Sequence, residues 1–273
     1  MIITRKQLAF MPEYNAFGIM DSDLKTENAN VIPMLSFSDA CYDELGMRPP
    51  VGAPKVGFLM GREQDCYTID RVYAQAVVAS GMEPVPLDFF FCTEQLVNCK
   101  GLILPGGAFQ SPEWYYSDDA SLDNSEYPNK RSKAYAYAFY TALHMGIPVL
   151  GICAGAQVIA AELGGKLCKE HKSFIRHKTK RHLAHRVDVM PDTPFAELLG
   201  VQSLITNSRH TEIVRDLATL ELYAAAVDGT PEAWGSERDM ILGVQWHPED
   251  FAAEGNDLHQ KIYDWLAARA KSR

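Results

Sequence analysis

The sequence predicts an α/β fold, a mostly parallel sheet with helices on both faces and a small antiparallel annex in its second half. Three observations predict it. From Lys55 onward, short apolar runs bounded by Gly and Pro alternate with longer segments of helical period. Past His185 the apolar runs follow one another without helices between them, which suits antiparallel pairing. Between these halves, the strand Ile147 to Ile152 turns at once into a helix from Ala156 to Leu163, closed by Gly164 and Gly165.

The elements follow in order. The first 50 or so residues carry scattered aromatics, an acidic stretch and a short amphipathic helix at Asp39 to Leu45, ending in the proline-rich connector RPPVGAPK. A domain boundary is therefore expected between an N-terminal extension, 1–54, and a main domain, 55–273. In the main domain KVGFLM, MEPVPL and GLILPG read as strands, with a helix from about Ile69 to Ser80 after the first and one from Arg131 to Met145 after the third. The strand Ile147 to Ile152 and the helix Ala156 to Leu163 come next. HRVDVM, SLITNS, LYAAAV, PEAWGS and MILGVQW are the later strands, and a helix from Asn256 to Lys271 ends the chain. Tyr135, Tyr137, Phe139 and Tyr140, on the helix before the strand Ile147 to Ile152, are assigned to packing.

The chemistry concentrates in GIPVLGICAGAQVIAAELGG, residues 146–165. Cys153 sits at the strand-to-helix junction, with Gly151 and Gly155 two residues to either side letting the two elements approach closely, as in a nucleophile elbow. A thiol there stands above the sheet at a helix N-terminus, where the dipole favours thiolate. Alone, such a pattern fits a buried structural cysteine equally well. Two more strand ends change the balance. MILGVQWHPED places His247 just past a strand, at the edge where crevices of open α/β sheets form, and Pro248 stiffens the link to Glu249. That supplies nucleophile, base and orienter in the order Cys, His, Glu. GLILPGGAFQ runs a strand into Pro105, Gly106 and Gly107, small enough for backbone N–H groups to face an oxyanion.

Together these motifs, over roughly residues 55 to 270, resemble the class I glutamine amidotransferase-like superfamily, in which G-x-C-x-G-x-Q carries the nucleophile and H-P-E the base and orienter. The spelling LPGG, GIPVLGIC, AELGG and LGVQWHPE is most similar to the gamma-glutamyl-gamma-aminobutyrate hydrolase (peptidase C26) branch, as is the N-S-x-H block at Asn207, Ser208, Arg209 and His210. The resemblance implies a flavodoxin-like sheet and a role for each matching position. Cys153 attacks a gamma-glutamyl carbonyl, His247 shuttles the proton, and Glu249 orients His247. The N–H groups of Gly107 and Ala154 hold the oxyanion. Gly106, Gln157, Asn207, Ser208 and His210 line the substrate pocket. Departures from the branch fall at Ala154, where arginine is frequent, and at Thr211 and Glu212, where histidine and glutamine are frequent. Both of the latter bear on the amine half of the substrate.

Composition narrows the class. A formal net charge of −9 leaves no nucleic-acid footprint, and the longest apolar run, Ile147 to Ala156, is far below the roughly 20 residues of a membrane span. Leu8 to Met11 is too brief for a signal peptide. Cysteines at 41, 66, 92, 99, 153 and 168 form no close-paired framework, which fits reduced thiols in a cytoplasm. Lys166 to Arg186 holds eight Lys or Arg and four His against one acid, Glu170, and is read as a solvated loop with its histidines on the surface. Because His171, His177, His182 and His185 lack regular ligand spacing, no metal is expected, and no cofactor. The partner is a small gamma-glutamyl substrate, a homo-oligomer being compatible with it. Expected is a cysteine hydrolase releasing glutamate and an amine through a thioester. The alternatives are a glutaminase subunit feeding ammonia to a separate synthase and a non-catalytic relic of the fold.

Overall fold

The computed structural model describes residues 2–24, 31–119, 126–169 and 173–272. These fall into two compact units, one comprising Met1–Ile103, Tyr140–Pro148 and Glu249–Arg273, the other Leu104–Phe139 and Val149–Pro248.

In the first unit, strands Glu83–Leu87, Lys55–Leu59 and Gly101–Leu104 lie side by side and parallel, with Val56 facing Pro84 on one flank and Gly101 on the other. Their apolar runs are buried, as a sheet covered on both faces requires. Helix Arg71–Ala79 packs near the C-terminal helix Asp257–Lys271, and Gln260 Nε2 donates to Ser80 Oγ at 2.6 Å and to the Ala76 carbonyl at 3.1 Å. The short helix expected at Asp39 to Leu45 is present over those residues, capped by Ser38 Oγ accepting from the Cys41 N–H and closed by left-handed Gly46.

The same unit holds a five-stranded sheet in the order Val31–Phe37, Ile2–Met11, Ala16–Met20, Cys66–Asp70, Gly61–Glu63. It takes strands from both sides of residue 54, the boundary expected from the proline-rich connector. Leu8, Phe17 and Phe37 are buried in it, the Phe17 and Phe37 rings 5.2 Å apart. No strand is legible in the sequence before Lys55, because irregular spacing of Phe and Ile hides the alternation.

The second unit carries Cys153 and His247. Strand Val149–Ile152 pairs in parallel with Ile241–Val244, in register from Val149 with Ile241 to Ile152 with Val244. From there Pro231–Ser236, Glu221–Ala226, His185–Val189 and Ser203–Thr206 follow in succession, all antiparallel, which is the annex expected, although a short helix, Pro194–Leu199, that the strand reading passed over joins the last two. Lys166–Cys168 and Ile213–Asp216 form a separate antiparallel pair. With the parallel strands of both units, the fold class is the α/β one expected. Of the four aromatics assigned to packing, Tyr135 and Phe139 are fully buried, but Tyr137 and Tyr140 are nearly half exposed. On a 16-residue helix, positions at helical spacing from Tyr135 face inward and the others face water.

Candidate active site

Cys153 is the junction residue the sequence points to. The strand Val149–Ile152 is buried along its whole length, the helix Ala154–Glu162 begins at the next residue, and Cys153 itself has φ 51° and ψ −110°. A non-glycine residue there costs on the order of 1–3 kcal/mol and persists only where its surroundings dictate it. They do: the Cys153 N–H donates to the Val244 carbonyl at 2.8 Å, and its own carbonyl accepts the first helical bond, from Gln157, at 3.0 Å. The flanking glycines are sterically necessary. A Cβ on Gly155 would lie 2.0 Å from the Leu104 carbonyl oxygen, and one on Gly151 would lie 2.8 Å from the Ala156 backbone nitrogen.

Because Val244 ends level with Ile152, the chain leaving the sheet at Gln245 delivers His247 to the same edge as Cys153. Asn207 fixes it there. Its Nδ2 donates to the His247 carbonyl at 2.9 Å while its Oδ1 accepts the His247 N–H at 2.8 Å, a two-bond clasp on the backbone. The imidazole and the thiol flank Gly106: a Cβ at that glycine would come 2.5 Å from His247 Cε1, 3.2 Å from His247 Nε2 and 3.1 Å from Cys153 Cβ. Gly106 thus leaves clear a space that the Cys153 and His247 side chains border.

The Pro105-Gly106-Gly107 turn is held from the helix Lys130–Met145. Tyr135 Oη donates to the Pro105 carbonyl at 2.9 Å and Arg131 Nη2 to the Gly106 carbonyl at 3.2 Å. In a planar trans peptide the N–H points away from its carbonyl, so the N–H groups of Gly106 and Gly107 face the side opposite these donors. Gly107 has φ +118°, open only to glycine. Sequence reasoning missed Arg131 altogether and gave Tyr135 packing alone. A helix residue that serves a loop 25 residues upstream leaves no local pattern.

Glu249 is almost wholly buried in the first turn of helix Pro248–Ala253. Gln157 is a strut. Its amide Nε2 donates to the Glu212 carbonyl at 2.7 Å and to Gln245 Oε1 at 3.1 Å. Of the N-S-x-H block, expected from sequence at the pocket wall, Asn207, Ser208 and His210 are buried. Asn207 clasps His247, the Ser208 hydroxyl donates to the His177 carbonyl, and His210 holds its Nδ1 against the Glu212 carbonyl at 3.0 Å.

The reading of Lys166 to Arg186 is likewise corrected. Its start is a strand, and His177 and His185 are buried, not on the surface. His182 is exposed, while His171 and Glu170 lie outside the described residues. His177 and His185 converge with His210 on Glu232, whose Oε1 stands 3.3 Å from His177 Nδ1, 3.5 Å from His185 Nε2 and 3.7 Å from His210 Nε2. Burial pushes the Glu232 carboxyl up, yet the facing imidazoles of His177 and His210 hold it below its ordinary value. Burial opposes charge on His177, but Glu232 and Asp228 outweigh it and raise its pKa; on His185 burial prevails and lowers it. The expectation of no metal considered spacing within one segment. These ligand types come from three segments, and Glu232 lay in an apolar-looking strand.

The Peptidase C26 family matches residues 60–249, well over half of the chain. Over 246 residues the chain is 26% identical to a glutamine amidotransferase-like protein of Rickettsia prowazekii, covering 70% of this chain and 86% of that one. It is also 26% identical over 220 residues to the gamma-glutamyl-gamma-aminobutyrate hydrolase of Escherichia coli O157:H7, covering 72% and 85%. Among solved structures, a glutamine amidotransferase of Thermotoga maritima superposes with a TM-score of 0.57 at 13% identity, over 81% of this chain and 99% of the other. The glutaminase domain of Trypanosoma brucei CTP synthase also gives 0.57, at 17% identity, over 81% and 95%. The fold is shared with these structures, and the extent of the family match places the chain itself: it belongs to the Peptidase C26 family, in the class I glutamine amidotransferase-like superfamily.

Proposed function

We propose that the protein is a cysteine hydrolase that cleaves gamma-glutamyl amide bonds. The observation that carries this reading is Cys153 held at a strained elbow, with His247 clasped beside it across Gly106. Cys153 attacks the gamma-carbonyl carbon as thiolate while His247 takes its proton, and the N–H groups of Gly107 and Ala154 hold the resulting oxyanion. The tetrahedral adduct collapses, the C–N bond breaks, and His247 returns the proton to the departing amine. Water, deprotonated by His247, then attacks the thioester, releasing glutamate and regenerating the thiol. Glu249 orients the imidazole. Asn207, Ser208, His210 and Gln157 act by fixing the His247 loop and the segment to Glu212, with Gly106 giving the substrate room.

For the amine half, support comes from Glu212. Its carbonyl is pinned by Gln157 and His210, and its half-buried carboxylate accepts from Ser111 Oγ at 3.2 Å, on the loop that follows Gly107. A carboxylate so placed disfavours an acidic leaving group and favours a cationic or neutral amine by a few kcal/mol at most, before desolvation. At the start of the basic segment, Lys166 Nζ donates to the Trp114 carbonyl at 3.1 Å, and Lys169 pairs with Glu113 at 2.9 Å. Among the described residues no helix is long and apolar enough to cross a membrane, and all six cysteines are unbridged, which supports a reducing, cytoplasmic setting.

The test is glutamate release from a panel of gamma-glutamyl amides by wild type and Cys153→Ala. Turnover by wild type, with a loss of at least on the order of 10³-fold in the folded variant, is expected. Near-normal turnover by a folded Cys153→Ala protein refutes the mechanism. Turnover only of glutamine, and only with an added synthase, would select the glutaminase-subunit reading instead.

A further inference from the structure

We propose that His177, His185, His210 and Glu232 form a structural site for one divalent transition-metal ion, of which zinc is the best fit. The four ligand atoms, one from each residue, all lie within 4.8 Å of one another. Ligands about 2.0–2.1 Å from a tetrahedral zinc stand about 3.4 Å apart. The three nitrogen-to-Oε1 separations, 3.3, 3.5 and 3.7 Å, match that spacing. All four side chains are more than nine-tenths buried, and neither His185 Nε2, His210 Nε2 nor the Glu232 carboxylate oxygens make a well-formed hydrogen bond among the described residues.

The outer nitrogens explain why the inner ones are acceptors. His177 Nε2 faces Asp228 Oδ2 at 2.9 Å, His210 Nδ1 faces the Glu212 carbonyl at 3.0 Å, and His185 Nδ1 faces the Arg186 carbonyl at 3.4 Å. Each outer partner is an acceptor, so in the neutral rings the outer nitrogen takes the N–H and leaves the inner lone pair to face a metal at the centre. Carboxylate and carbonyl partners of this kind orient and strengthen histidine ligands. Three lone pairs and a carboxylate turned on one point repel unless a cation stands between them. Asp228 is itself anchored, by the Ser173 hydroxyl and by the Thr230 N–H at 3.1 Å.

Three nitrogens and one carboxylate oxygen close the coordination sphere, so the metal would brace the fold and not activate water. What it braces is the floor of the active site. His210 lies three residues from Asn207, which clasps His247; Ser208 is tied to the His177 carbonyl; and the Glu232 carbonyl accepts the Gln245 N–H at 2.8 Å, two residues before His247.

The experiment uses the full chain, stripped with chelator and titrated with Zn²⁺ and, separately, Co²⁺. Measurements are bound metal per chain, melting temperature and the visible absorption of cobalt. Expected are one ion per chain, a rise in melting temperature of several degrees, and the intense ligand-field bands of tetrahedral cobalt without a thiolate charge-transfer band. Glu232→Gln and His185→Gln should weaken binding by at least about 100-fold, while Cys153→Ala leaves it unchanged. Failure of wild type to bind stoichiometric metal would leave the cluster a proton-sharing His–Glu network and overturn the proposal. A cobalt spectrum with thiolate character, lost in Cys153→Ala, would overturn it too, by moving the metal to the thiol. If a cluster variant fails to fold, the wild-type stoichiometry and cobalt spectrum still decide.

Discussion

Gly106→Ala isolates the geometry of the proposed catalytic pair. The Gly106 backbone lies outside the left-handed region, so alanine brings no backbone strain and acts through its methyl alone. That methyl would sit 2.5 Å from His247 Cε1, where ordinary contact begins near 3.4 Å, and 3.1 Å from Cys153 Cβ. Relief requires the imidazole to move by about 1 Å, and a misplacement of that size costs roughly 10²-fold in rate. Overpacking costs about 1–3 kcal/mol, so a melting-temperature drop of only a few degrees accompanies it. The assay pairs kcat for glutamate release with thermal melts and the rate of Cys153 alkylation. Gly61→Ala serves as control, because its added methyl meets nothing nearer than 3.6 Å. A folded Gly106→Ala enzyme with wild-type kcat and wild-type thiol reactivity would show that the imidazole does not stand where the reaction needs it.

His247→Ala should be nearly as damaging as loss of the thiol, while Glu249→Gln, which retains a hydrogen-bonding group at the proposed orienting position, keeps part of the rate; the reverse order of kcat values would show the roles to be misassigned. Wild type should prefer a gamma-glutamyl polyamine to gamma-glutamyl-gamma-aminobutyrate in kcat/KM, and Glu212→Gln should narrow that ratio by about 10-fold, one charge contact at a partly solvated site. A preference for the acidic leaving group that Glu212→Gln leaves unchanged would give the selection to another residue. Burial pushes the Cys92 and Cys99 thiols up to about 12, so near pH 8 iodoacetamide should modify Cys153 and spare those two. Mass spectrometry reads the site, and modification of Cys92 or Cys99 ahead of Cys153 would contradict the burial assigned to them.

By itself the sequence determined the elements whose signals are local. Short apolar runs such as Leu102 to Leu104 and Val149 to Ile152, bounded by Gly and Pro, read as buried strands, the 3.6-residue period marks the helices that begin at Arg71, Lys130 and Asp257, and Cys153 between Gly151 and Gly155 reads as an elbow once two further motifs stand at strand ends. His247 was legible because it follows a strand whose apolar run is unmistakable. Tertiary structure decided what depends on pairing between distant segments. The strands of residues 2–20 find their partners at 31–37 and 66–70, and no pattern within one strand names its neighbour. The two-bond hold of Asn207 on the His247 backbone likewise joins segments 40 residues apart. Glu232 and the histidines at 177, 185 and 210 are brought together because a buried charge must find its partners wherever the chain supplies them. Such an encounter leaves no spacing to read in the sequence.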